Sequence, residues 1–466
     1  MKQFSARGHV PSILVATLSA AFGISLLQVT GVLATAMTAD DVTGSSATVT
    51  YLLSILAIVF IVIATYVSAI VTANTFSTII AGRTRTIALL RLIGASARSQ
   101  RAAVAREGLI VGLLGAVLGA LVGTSATAGL AGIGIAVGFL PAHAYSYVEP
   151  VLILPIVTVV LTTWLASWIG SRRVLVVSPM QATGAAQELS NEEAAGKTGR
   201  NAAALVLFII GAVLLALGIV VGLINPLGVL IGLFGGIFSF TGLVLGAQRV
   251  MPPALRLVGR VFGRSAPARL AAENALRYPE RSSRTTIGLV IGVTLVTMFS
   301  VAIGSYQDMI HQAQHDRPGL FQGVDRMLLV TVIVFSILTG FSALIAAIGM
   351  VNNLSLGVLQ RTRELGLLRA LGFTAGQVRR MILAESAQLT LAAAFVGILL
   401  GIVYGWAGAQ SLLGGIQQSP RLVIPTIPIV LIGVIVVAAG VLTLVASIVP
   451  SRRATRVAPV AALTVE

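Results

Sequence analysis

Charged residues are scarce in this chain, so the few that recur with a fixed spacing are where chemistry is to be sought. Arg361, Arg363, Glu364 and Arg369 stand among Leu365, Leu368, Ala370 and Leu371 and are followed by Gly372. That pattern predicts a short amphipathic helix with one charged and one apolar flank, closed by a glycine C-cap. Arginines so placed can donate charge-assisted hydrogen bonds to acidic groups of a partner protein. They can equally snorkel into lipid headgroups while their stems lie in the membrane interface. Arg83, Arg85, Arg91 and Gly94 repeat the spacing earlier in the chain, which favours a specific docking surface over a plain interfacial helix. Thr86 stands at the position matching Glu364, so the two copies are not equivalent in charge.

Other reactive constellations are missing or incomplete. With no cysteine there is no disulfide, thiolate metal site or thiol nucleophile. His311 and His315 stand four apart near Asp308 and Asp316, a weak metal candidate for which a solvated polar loop is the plainer account. Gly196-Lys197-Thr198 has the end of a phosphate loop, yet the first glycine would fall at Asn191, and the surrounding linker offers no strand and helix to aim backbone amides. No cofactor is therefore expected on this chain. Neither a His-Glu-x-x-His nor a Gly-x-Ser-x-Gly pattern occurs, so a hydrolase has no candidate nucleophile or metal pair. An ion-coupled carrier would show ionisable groups near the bilayer midplane. Glu107 and Glu385 instead sit at the inner ends of apolar runs.

The elements that must position these residues are membrane spans. Hydrophobic residues make up 56% of the 466, charged ones 10%, and the mean hydropathy is +0.98, values foreign to a water-soluble core. Ten apolar runs are long enough to cross about 30 Å of hydrocarbon: 11–36, 48–73, 108–133, 150–170, 202–223, 226–247, 286–304, 327–351, 382–407 and 424–448. Spanning backbone must satisfy itself internally and no barrel alternation is present, so all ten are expected to be helices. Of 31 lysines and arginines, all but Arg317, Arg326 and Arg421 fall in the alternate loops that share a side with the termini. The positive-inside rule makes that side cytoplasmic, and the net charge of +16 is then topology, leaving no call for nucleic acid. Lys2, Arg7 and Ala34-Thr35-Ala36 imitate a signal peptide, but the apolar run is too long for one, and cleavage would spoil the charge alternation. Arginine far outnumbers lysine beside abundant alanine, glycine and valine, the composition of a GC-rich bacterium.

The chain also matches itself. Between 74–107 and 352–385, twelve of 34 positions are identical, and Gly119/Gly397 and Gly123/Gly401 extend the match, with Gly115 opposite Ala393. Ser171-Arg172-Arg173 and Pro179 recur as Ser451-Arg452-Arg453 and Pro459. The expected architecture is an all-α polytopic membrane protein of ten helices: two parallel four-helix repeats plus two inserted central helices. Its divisions are 1–183 (spans one to four), a flexible linker at 184–201, the inserted pair at 202–247, a basic amphipathic segment at 248–285, and 286–466 (spans seven to ten). The ladders Gly115/Gly119/Gly123 and Gly397/Gly401/Gly405 should let helices approach closely.

Arg363-Glu364 through Leu368-Arg369-Ala370-Leu371-Gly372, an apolar span, then Pro450-Ser451-Arg452-Arg453 and Pro459 resemble the FtsX/MacB-type permease domain of ABC transporters. Arg85 to Gly94 with Ser171-Arg172-Arg173 is a looser copy, and 271–284 resembles the basic segment before the first span in that family. The resemblance implies a non-catalytic permease in a bacterial cytoplasmic (inner) membrane, with both termini inside. It would be driven by a separate ABC ATPase, two copies per permease, which holds ATP and magnesium. The cargo would be amphiphilic: a lipid, peptide or drug-like molecule exported across the membrane or extracted from it. Arg83, Arg85, Arg91 and Gly94, and Arg361, Arg363, Glu364, Arg369 and Gly372, would couple to the ATPase. A second implication is a signalling subunit that relays ATPase motion to an extracytoplasmic partner; apart from the resemblance, an ion-coupled secondary transporter is the remaining, weaker alternative. Relatives carry a large outer domain after a first span, whereas the loops here are only about 11 residues (37–47) and 22 residues (305–326), too short for a core of their own.

Overall fold

The computed structural model describes residues 6–38, most of 51–74, 96–171 apart from Phe139, 198–260, 266–316 apart from Tyr278, 367–415, 422–456 and Gly340. Among the described residues there is no strand. The helices are α1 (Ala6–Thr38), α2 (Ala97–Ala136), α3 (Ile153–Gly170), α4 (Thr198–Gly222), α5 (Gly228–Leu245), α6 (Ala247–Gly259), α7 (Ala266–Arg277), α8 (Pro279–Asp316), α9 (Ala375–Leu413) and α10 (Ile429–Arg456). Seven of them, α1 to α5 with α8 and α9, are long and apolar enough to cross a membrane. Shorter apolar stretches, Ile58–Val71 and Ile429–Val441, coincide with the predicted second and tenth spans. The predicted eighth span, 327–351, lies outside the described residues apart from Gly340.

Two helices start well before their apolar runs. α2 begins at Ala97 because Ser96, in extended backbone, accepts the Ser99 N–H at 3.1 Å. α9 begins at Ala375 because Thr374 accepts the Gln377 N–H while the Gln377 side chain takes the Thr374 N–H, a reciprocal capping box. Ser96 and Thr374 occupy the same place in the repeat, so both helices carry extra turns ahead of the apolar core.

Packing extends the repeat beyond the identities seen in sequence. In the first unit α2 lies between α1 and α3; in the second α9 lies between α8 and α10. Gly119 abuts Thr17 and Ala20 of α1, and its mate Gly397 abuts Val290 and Val293 of α8, a pair of the same spacing. On the other side, Thr163 of α3 back-bonds to the Val159 carbonyl and meets Gly112 of α2. Its mate Thr443 of α10 back-bonds to Ala439 at 2.7 Å and lies 2.8 Å from Thr390 of α9. The largest buried cluster joins both units, with Phe22 and Leu26 of α1, Phe60 and Val67, Phe240 of α5, and Ile291 and Phe299 of α8.

α4 and α5 form a tight hairpin turned by Asn225, whose Oδ1 accepts the Leu227 N–H at 2.9 Å. Glycines 211, 218, 228, 232 and 235 let the two backbones touch, and Gly222 rests on Ser411 of α9.

Candidate functional site

One end of the second unit is built around the start of α9. Residues 367–370 are helical, and Leu371 donates to the Leu367 carbonyl at 2.9 Å. Gly372 then turns left-handed at φ +101°, its N–H reaching the Arg369 carbonyl at 3.1 Å and the Phe373 N–H reaching Leu368 at 3.0 Å. These are the two bonds of a Schellman closure. Two residues later the Thr374 capping box opens α9, so the chain reverses from one helix to the next within a few residues.

Side chains fix this corner. Leu368 and Phe373 pack together on Ala271 of α7 and on Val378, Met381 and Ile382 of α9. Val378 and Met381 are fully buried. α7 is itself anchored where Ser282 of α8 donates to the Ala275 carbonyl at 2.6 Å. Leu367 and Leu371 point away from that cluster and are 51% and 72% exposed. Arg379 and Arg380, one turn into α9, are exposed as well. The corner thus presents two leucines, an open Gly372 and basic side chains on a rigid seat.

Of the predicted coupling residues, Arg369 is half-buried in this corner and Gly372 closes it. Arg83, Arg85, Arg91, Gly94, Arg361, Arg363 and Glu364 lie outside the described residues. At the matching end of the first unit, the Arg101 guanidinium lies 4.0 Å from the ring centre of Trp168, whereas its mate Arg379 is exposed. Sequence reasoning passed over Leu368, Phe373 and α7 as the seat. The signal was present: a bulky apolar residue just after a C-terminal glycine, paired with one four residues before that glycine, is the hydrophobic contact that accompanies such a closure.

The glycine ladders line the seams between first and third spans. A Cβ on Gly115 would lie 2.3 Å from Ala16 Cβ; on Gly401, 2.4 Å from Thr297 Cβ; on Gly405, 2.5 Å from the Met298 carbonyl. Gly123 approaches the Ala21 carbonyl in the same way. His311 and His315 are exposed near the end of α8, and among the described residues no group of three or more metal-ligating side chains forms.

Among the described residues this is a helical architecture with several helices fit to cross a membrane, in which α1 to α3 pack as α8 to α10 do. The model of the FtsX-like permease C-terminal domain matches residues 58–179 and 336–459, more than half the chain. The chain belongs to that family and is an ABC transporter permease of the FtsX/MacB type. It is 37% identical over 93 residues to the uncharacterised ABC transporter permease YknZ of Bacillus subtilis (strain 168), covering 20% of this chain and 23% of that protein. ABC transporter permease YtrF of the same organism is 30% identical over 122 residues, 25% of this chain and 28% of its own. Macrolide export ATP-binding/permease protein MacB of Rhodopirellula baltica is 30% identical over 138 residues, 28% and 18% of the two chains. The matches span between 18% and 28% of each of these relatives. Both candidate docking segments and both Ser-Arg-Arg motifs fall inside the matched regions.

Proposed function

We propose that this chain is the membrane subunit of an ABC exporter, moving or extracting an amphiphilic substrate while a separate ATPase supplies the work. The observation that carries the reading is the corner at Gly372. A helix end closed by a positive-φ glycine and wedged on α7 and α9 holds Leu367 and Leu371 outward, and any push on it passes directly into α9. In this reading ten spans form two parallel four-helix repeats about an inserted pair, divided as the sequence divides them. The termini and docking segments lie in the cytoplasm of a bacterial inner membrane. Two ATPase copies bind, one per repeat, and hold ATP and magnesium, while this chain has no catalytic residue. Relatives named for macrolide and pyoverdine export support an outward direction.

Arg363, Glu364 and Arg369 would pair with acidic and basic groups of an ATPase groove, and Arg85 with Thr86 would make a weaker counterpart. Losing one partner of a desolvated charge pair costs about 2–5 kcal/mol, whereas a rim charge chiefly alters the on-rate. Co-purification with the cognate ATPase and its stimulated activity test this. Arg363→Ala and Glu364→Ala should weaken both more than Arg85→Ala and Thr86→Ala, with insertion unchanged. Wild-type behaviour of all four variants would remove the docking assignment.

A further inference from the structure

We propose that α6 is a binding site for the headgroups of anionic phospholipids. Only Gly246 separates this helix from the end of α5, and it contains no acidic residue. Its inner face, Met251, Ala254 and Leu255, packs against Leu289, Val290 and Val293 of α8 and Ala392, Ala393 and Val396 of α9. Those partners lie inside apolar spans, so α6 rests at the edge of the hydrocarbon and not out in solvent. Gln388 locks it there, donating to the Leu255 carbonyl at 2.9 Å.

The outer face is mixed in a way that water would not favour. Arg249, Arg256 and Arg260 recur at intervals that stack them on one side of the helix, and all are exposed. Immediately beside that row stand Val250, 37% exposed, and Leu257, 51% exposed. A helix lying in the interface buries such apolar residues among acyl chains while its arginines reach phosphate oxygens. Arg200 at the start of α4 adds a fourth base nearby, donating to the Gln248 side chain. A row of positive charge at this depth selects acidic headgroups over zwitterionic ones, by about fivefold per arginine near an anionic surface. A soluble partner such as the ATPase would need this face clear of the membrane, and the packing on residues within the apolar spans of α8 and α9 argues for lipid.

The absence of cysteine makes the test direct. The full chain bearing L257C is labelled with bimane and reconstituted in phosphatidylcholine vesicles containing brominated phosphatidylglycerol or brominated phosphatidylcholine. Both should quench the label, the phosphatidylglycerol reaching half-maximal quenching at a mole fraction at least about fivefold lower. In the R249Q/R256Q/R260Q background that preference should vanish while quenching by brominated phosphatidylcholine persists, which shows that the helix is still seated. Equal half-quenching fractions in the parent protein would overturn the proposal, as would an undiminished preference in the triple variant. Quenching by neither lipid would overturn it too, and would point to a face reserved for a soluble partner.

Discussion

Substituting Gly401 by alanine should destabilise the second unit, and the size of the effect follows from the seam it faces. The added Cβ would lie 2.4 Å from Thr297 Cβ and 2.8 Å from the Thr294 carbonyl oxygen. Carbon atoms settle at about 3.5–4.0 Å, so roughly 1 Å of separation is needed. Rotating Thr297 cannot supply it, because its Cβ is fixed to the α8 backbone and Thr294 presents a backbone atom. The helices must part, and the rungs at Gly397 and Gly405 loosen with them. Overpacking of this kind costs about 1–3 kcal/mol. The gain in helix propensity on replacing glycine offsets up to about 1 kcal/mol, leaving a net loss on the order of 1–2 kcal/mol. Gly408, on the same helix, has nothing within 4 Å of its Cβ position, so Gly408→Ala keeps the propensity gain without the clash. Equilibrium unfolding in mixed micelles with increasing SDS, followed by near-ultraviolet circular dichroism, compares the two. Gly401→Ala should unfold earlier than wild type and Gly408→Ala no earlier. Equal stability of the two variants would refute the close approach of α8 and α9.

Three further outcomes are expected. Gly372→Val places a β-branched residue at φ +101°, a strain of about 1–3 kcal/mol; hydrogen exchange at the amides of residues 372 and 373 should accelerate while that of α5 is unchanged. Tyr404→Phe removes the 3.0 Å contact with Ser239, and a double-mutant cycle with Ser239→Ala should give a coupling near 0.6 kcal/mol; zero coupling would mean that the two hydroxyls do not interact. Reporter fusions at residues 190 and 460 should both read as cytoplasmic, and an external reading at either would break the topology drawn from the basic loops.

Apolar content made seven of the ten predicted spans legible as helices long enough to cross a membrane, because a segment in lipid has almost no other way to satisfy its backbone. Their ends were less so. The third and ninth spans, read from apolar residues as 108–133 and 382–407, run as helices over Ala97–Ala136 and Ala375–Leu413. What sets those starts is a hydroxyl cap at Ser96 and Thr374, several residues before hydrophobicity rises. The segment 248–285 was legible as basic and amphipathic, but its division into α6, α7 and the first turns of α8 depends on tertiary seats. Pro252 and Pro253 stand inside α6, where sequence rules alone would end a helix. The proposed docking segment stood out by repetition, since two copies of one arginine spacing need a shared cause, and of its predicted coupling residues Arg369 and Gly372 fall among the described ones. The anchoring of Leu368 and Phe373 on α7 was not, as α7 precedes them by about a hundred residues.

The two units are not interchangeable, and the difference can be traced to single repeat pairs. Ile110, Leu114 and Leu118 of α2 are 40–44% exposed, a lipid-facing stripe of large side chains. Their mates on α9 are Gln388, Ala392 and Val396, all buried, because α6 covers them. Smaller residues occur where a helix must fit, and the one amide occurs where the Leu255 carbonyl can use it. A little farther along α9, Tyr404 reaches Ser239 of α5, and from the same helix Thr241 contacts Tyr66 of the first unit at 2.9 Å. The inserted pair is therefore wedged between units, tied to α9 at Gly222 and Ser411 and to the first unit through Tyr66. Motion of α9 relative to the first unit must carry α5 and α6 with it or break these contacts, whereas α2 can shift against lipid along its exposed stripe. An arginine pattern repeated in sequence thus precedes two differently loaded helices. That asymmetry would persist even if both docking segments engaged identical subunits.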